Sequence, residues 1–214
     1  MRAIEAAFPS ERICGEAQLT ELSGDASAFD VLHGHVGFDV AQRFDCEPCV
    51  ILRDPIDRVL SLFNFWQTRT RNPEADDNAA VGLVQGMDFE TFLQSDHPRL
   101  QSDLRNGQTF QIAGSHKFPT RRTLEEQSRP AVLEQAKRNL DGFAVVGTTD
   151  RLDLFEKRAN AYFDLDLKIA HRNRTKKQIV TRDCLSSKEL NLIHEMNALD
   201  IELFGYASQT TGEP

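Results

Sequence analysis

The chain has 214 residues with 25 Lys or Arg against 33 Asp or Glu, a formal charge of -8, and is 40% hydrophobic and 27% charged. That composition is globular rather than disordered, and the length allows one large domain burying roughly two-thirds of its unfolded surface. The acidic balance excludes the basic footprint on which non-specific nucleic-acid binding runs, and no apolar run approaches the roughly 18 residues that cross a bilayer.

The N-terminal stretch MRAIEAAFPSERIC carries Glu5 and Glu11 where a signal peptide would be apolar, so the chain reads as intracellular and cytoplasmic. Cys14, Cys46, Cys49 and Cys184 are too few for a disulfide framework at this size and are expected reduced. Residues 2–8 read as a short helix with no strand before it. Residues 29–33 are β-like, and Pro48-Cys49-Val50-Ile51-Leu52 is a nearly continuous apolar run of the kind found in strands buried on both faces. Both are expected inside a sheet. Ile56, Val59, Leu60, Phe63 and Trp66 then recur at spacings of three and four, marking an amphipathic helix with Asp54 as N-cap and Pro55 at its first position.

Residues 68–78 are polar and acidic and read as an exposed loop. Asp88 is placed to cap a short helix through Phe89, Phe92 and Leu93, and residues 130–140 form another helix. Phe143-Ala144-Val145-Val146-Gly147 repeats the buried-strand pattern, with Thr149 or Asp150 capping a helix through Tyr162. Ser186 or Ser187 opens a last helix that Gly205 is expected to stop, and the tail after Ala207 reads as frayed. Strands alternating with helices give an α/β fold with a mostly parallel sheet flanked by helices. The expected division is one domain over 1–207 and a tail over 208–214.

The stretch from Cys49 to Ser61 carries the most chemistry. A strand that delivers Arg53 to a sheet edge beside a helix start makes an anion corner from the guanidinium fork and the helix-end N–H groups. Arg58 and Ser61, three apart, share a face, and the Ser61 hydroxyl could donate to the same anion. Taken alone, Arg53 could equally pair with Asp54 or Asp57.

Val50-Ile-Leu-Arg-Asp-Pro-Ile-Asp-Arg-Val-Leu-Ser61 resembles the 3′-phosphate-binding motif of sulfotransferases that use 3′-phosphoadenosine 5′-phosphosulfate (PAPS). The resemblance implies that Arg53 and Ser61 hold the 3′-phosphate of the donor. Leu32-His33-Gly34-His35-Val36 is similar to the His-Gly-His segment of the carbohydrate 2-O-sulfotransferases (heparan sulfate 2-O-type), which implies a histidine as catalytic base; His35, the second of the pair and nearest the loop facing the sheet edge, is the expected one, with His33, on the same side if the strand continues, supporting or replacing it. Asn106-Gly107-Gln108, Ala113-Gly114, Val146-Gly147-Thr148, Arg172-Asn173-Arg174-Thr175 and Leu199-Asp200 are similar to the rest of that layout. It implies nucleotide contacts from Arg172, Thr175 and Lys176, and a carbohydrate or related hydroxyl-bearing acceptor as partner. The implied fold is the P-loop-NTPase-like sulfotransferase fold.

That resemblance also implies a first strand and a Lys/Gly/Thr/Ser-rich 5′-phosphosulfate loop ahead of a helix like 2–8, and the sequence holds neither. Two alternatives stand: the true start lies upstream of Met1, or this is a truncated relative with impaired transfer. Arg121 and Arg122 face an acidic acceptor or nothing. Two further readings compete: a catalytically inactive protein of the same fold that binds a partner, and a zinc domain using His33, His35, Cys46 and Cys49, four ligands suited to a tetrahedral site. Cys46-Glu47-Pro48-Cys49 precedes a strand, whereas a thioredoxin-like pair opens a helix.

Overall fold

In a computed structural model, residues 2–22, 24–69, 78–115, 120–169 and 178–210 are described. In chain order the elements are α1 (Arg2–Ala7), β1 (Ile13–Cys14), α2 (Glu16–Glu21), β2 (Val31–Leu32), α3 (Phe38–Phe44), β3 (Cys49–Leu52) and α4 (Pro55–Thr68). They continue through α5 (Asn78–Val84), α6 (Phe89–Gln94), α7 (Pro98–Leu104), α8 (Gly107–Ala113), α9 (Thr120–Glu125), α10 (Arg129–Asp141) and β4 (Val145–Thr148). The last three are α11 (Leu152–Phe163), α12 (Ser187–Met196) and α13 (Ala198–Thr210).

The fold is α/β, and all strand pairing among the described residues is parallel. β3 pairs with β4 in the register Cys49↔Val145 to Leu52↔Thr148, and β1 pairs with β2 as Ile13↔Val31 and Cys14↔Leu32. The two apolar runs expected in a sheet therefore lie in separate two-stranded pairs. β3 is not buried on both faces: Leu52 is buried, whereas Ile51 is 37% exposed. Alternate residues of β3 point to opposite sides, and Val50 and Leu52 join the core formed with α8, α10 and α13. On the opposite side α11 packs its Phe155 and Ala159 against Val145 of β4. A methyl group at Gly147 would lie 2.6 Å from Phe155, so that glycine lets the helix seat on the strand.

α4 starts as its sequence dictates. Asp54 accepts from the N–H groups of Ile56 and Asp57 at 3.0 and 3.1 Å, and Pro55, which lacks an N–H, takes the first position. Its stripe of Ile56, Val59, Leu60, Phe63 and Trp66 is buried against α5, α6, α7 and α12. Phe63 meets Phe89 edge to face with centroids 5.0 Å apart, and each such buried side chain contributes about 1.5–3 kcal/mol of transfer free energy. Asp88 caps α6 through Thr91, and Ser186 opens α12 with a capping box to Glu189. No helix of the described residues is long and apolar enough to cross a membrane.

Three expectations fail on local grounds. α11 begins after Arg151 without a side-chain cap, rather than at Thr149 or Asp150. The last helix is two helices, broken at Asn197, whose amide side chain donates back to the Ile193 carbonyl and accepts from the N–H of Asn106. α13 then runs through Gly205 to Thr210 instead of stopping at the glycine, so the expected frayed tail is still helical over 208–210. The polar segment expected as a loop lies outside the described residues over 70–77.

Candidate functional site

The centre of the site is the junction where β3 ends and α4 begins. Gln108, buried near the start of α8, holds the backbone of Arg53 from both sides: the Arg53 N–H donates to Oε1 at 2.8 Å, and Nε2 donates to the Arg53 carbonyl at 2.9 Å. Such two-point capture fixes the two peptide groups that flank the Cα from which the side chain departs. α8 is itself pinned. The buried carboxylate of Asp200 accepts from the N–H of Gln108 at 3.2 Å, the N–H of Thr109 at 2.7 Å and the Thr109 hydroxyl at 2.7 Å. In return the Asn106 side-chain oxygen accepts from the N–H groups of Leu199 and Asp200, so the first turns of α8 and α13 cap each other. Asn106 reaches this position with a left-handed backbone, φ 50°.

Arg53 and Ser61 are both half-buried, and among the described residues neither the guanidinium nor the hydroxyl has a hydrogen-bond partner. The alternative pairing of Arg53 with Asp54 or Asp57 is not formed. Those two carboxylates face Arg182, at 3.4 and 3.3 Å. One part of the expected anion corner is corrected. Pro55 has no N–H and those of Ile56 and Asp57 are already taken by Asp54, so the first turn of α4 offers no donors and the corner rests on the two side chains. Arg58 does not share in it: its guanidinium donates to the Asp103 carbonyl and lies against Gly107, where a methyl group would come within 2.6 Å.

His33 and His35 follow β2, which ends at Leu32, so the continued strand that would have placed both on one side does not exist. The His33 N–H donates to the Cys14 carbonyl at 3.0 Å and the His35 N–H to Glu16 Oε2 at 2.8 Å. His33 is half-buried, His35 is exposed, and neither imidazole has a hydrogen-bond partner among the described residues. The segment then lies down on α8. Gln111 Nε2 donates to the Val36 carbonyl at 2.6 Å, and the Asp39 N–H donates to the Gly114 carbonyl at 3.1 Å. A methyl group at Gly37 would sit 2.0 Å from that same carbonyl oxygen, so only glycine permits the approach. Asp103, at the end of α7, is pushed up by burial against the opposing pull of Arg58, Arg99, His35 and Arg121.

Other candidates resolve differently. The segment holding Arg172, Thr175 and Lys176 lies outside the described residues. The chain just beyond it is fastened to α4 by Asn64, which accepts from the N–H groups of Ile179 and Val180 at 2.7 and 3.0 Å and donates to the Val180 carbonyl at 2.8 Å. Asp57, Ser61 and Asn64 fall on one face of α4 at helical spacing, so this chain runs along the face that carries Ser61. Arg121 is a structural residue: 3% exposed, it stacks on Phe110 at 4.3 Å and donates to Glu125 and to the carbonyls of Ser102 and Arg105. Arg122 is exposed beside Glu126 at 3.9 Å.

The zinc set is not assembled: among the described residues no three His, Cys, Asp or Glu side chains are placed to hold one metal ion. Desolvation pushes the Cys46 thiol up and the Cys49 thiol up to about 11, opposite to the lowered value a reactive pair requires. Gln108 and Asp200 belong to motifs visible in the sequence, but their joint role does not, because the pairing spans 92 residues. Gln111 carries no local signal at all.

A model described as the Sulfotransferase family matches residues 24–207. The match takes in the His-Gly-His segment, the β3 to α4 junction, α8 and nearly all of α13. No curated protein and no solved structure matches the chain.

Proposed function

The chain belongs to the sulfotransferase family, and from that premise we propose that it moves a sulfuryl group from PAPS to a hydroxyl of a carbohydrate or related acceptor. The observation that carries this reading is the pair of side chains Arg53 and Ser61, which have no hydrogen-bond partner among the described residues, with the Arg53 backbone held by Gln108. A guanidinium fork and a hydroxyl, both half-buried, suit the terminal oxygens of a 3′-phosphate.

Sulfuryl transfer needs in-line placement, cationic donors on the leaving phosphate and a base for the acceptor proton. The bond between sulfur and the 5′-phosphate oxygen breaks, and a bond from sulfur to the acceptor oxygen forms. 3′-Phosphoadenosine 5′-phosphate (PAP) leaves, and the acceptor's hydroxyl proton passes to His35. An exposed imidazole with no hydrogen-bond partner among the described residues suits that role. His33, next in line and half-buried, supports or replaces it. The segment of Arg172, Thr175 and Lys176 supplies further cationic contacts to the nucleotide.

Calorimetric titration with PAP tests the reading. Binding by the wild type is expected, and Arg53→Ala should weaken it about 10- to 100-fold, the value of one or two charge-assisted hydrogen bonds. A folded wild-type chain that takes up no PAP overturns the proposal.

A further inference from the structure

The two halves of the proposed site, the β3 to α4 junction and the His-Gly-His segment, come from different strand pairs, and nothing in the sheet connects them. What connects them is α8. Gln108 and Gln111 are three residues apart and project from the same side of that helix. The first holds the backbone of Arg53 at 2.8 and 2.9 Å, and the second holds the Val36 carbonyl, next to His35, at 2.6 Å. Three residues of helix advance about 4.5 Å, so the two points of attachment are less than one turn apart.

We infer that α8 is the spacer that fixes His35 relative to Arg53, with Gln108 and Gln111 as its positioning residues. The inference rests on the proposed reading of Arg53 and His35 as donor-binding residue and base. It is supported by what holds the spacer itself. The Asp200 carboxylate locks its first turn, Asn139 donates to the carbonyls of Ile112 and Ala113 in its last, and the carbonyl of Gly114, the residue that follows, receives the Asp39 N–H while Gly37 passes at the distance of backbone contact. Both ends of the helix are therefore occupied in fixing its position, and its glutamines are the groups left to grip the two segments. In-line transfer tolerates little error in separation, and a short rigid helix between binding group and base supplies that tolerance.

The test follows the imidazole of His35 by NMR across a pH titration, without and with saturating PAP, in the full chain. Charged groups near His35 include Glu16 from α2, which accepts from its backbone N–H, and Asp103 from α7, on whose carboxyl it acts. PAP seated on Arg53 adds negative charge at a fixed distance and raises the His35 midpoint by about half a pH unit. In Gln111→Met, PAP affinity is expected to stay within about twofold while the rise falls to less than half, because the donor to Val36 is gone. In Gln108→Met, PAP affinity itself falls about tenfold. Gln111→Ala repeats the first comparison should the methionine variant fail to fold. A full rise in both Gln111 variants, or no rise in a wild type that binds PAP, overturns the spacer and leaves the donor-binding reading intact. A wild type that binds no PAP overturns that reading first, and the spacer falls with it.

Discussion

The two sides of the site are built to different standards. Around Arg53 every supporting group is buried: Gln108, Thr109, Asn106, Asn197 and Asp200 satisfy one another and the backbone of the junction. Around His35, itself exposed, the side-chain supports are half-buried Glu16 and Gln111, beside the close pass of Gly37. A buried polar network is costly to break because each orphaned group then lacks both water and partner. A segment held by single hydrogen bonds outside such a network can be re-shaped at less cost. On the proposed reading, the nucleotide side is thus set by the core of the protein and the acceptor side lies nearer its surface, where binding specificity is usually carried.

The contrast can be broken most severely at Asp200. Asp200→Ala removes the acceptor of three buried hydrogen bonds and is expected to cost about 3–5 kcal/mol in unfolding free energy, read by urea denaturation. Gly37→Ala attacks the other side. Its new methyl would meet the Gly114 carbonyl oxygen at 2.0 Å, so the His35 segment must lift from α8, at a cost of about 1–3 kcal/mol with PAP binding retained. His35→Ala sharpens the comparison further: at an exposed position it should change stability by less than about 0.5 kcal/mol while abolishing transfer to an oligosaccharide acceptor. Equal activity in His35→Ala and wild type would refute the base assignment.

The smallest effect is expected at Asp103, and it depends on pH. Burial raises its carboxyl in the folded state, so the fold binds that proton more tightly than the unfolded chain does. The stability this lends is complete below the ordinary carboxyl value of about 3.9 and is lost as pH rises through the raised folded value. Asp103→Asn should therefore be more stable than wild type at neutral pH and no more stable near the acid end, as thermal melts across that range would record.

How much of this could be read from the residues follows from the range of the interactions. The β3 to α4 junction was legible because its determinants are adjacent: an apolar run, then Asp54 and Pro55, then apolar residues three and four apart. The caps at Asp88 and Ser186 were legible for the same reason. α8 was not, since seven residues give no period to recognise and its cap is a carboxylate 92 residues downstream. The expected donors at the start of α4 failed because the same Asp54 that announces the helix also consumes its free N–H groups. Arg121 was misleading as a surface charge; its ring partner Phe110 and its carbonyl partners lie on other elements. Even β1 escaped notice, since two residues paired to β2 carry no alternation.

The reciprocal capping of α8 and α13 also bears on where the junction is vulnerable. Asn106 and Asp200 meet across more than ninety residues, and α8 alone is far too short to be stable in water. The grip of Gln108 on Arg53 therefore depends on residues more than ninety positions downstream, so damage to α13 is felt at the β3 to α4 junction.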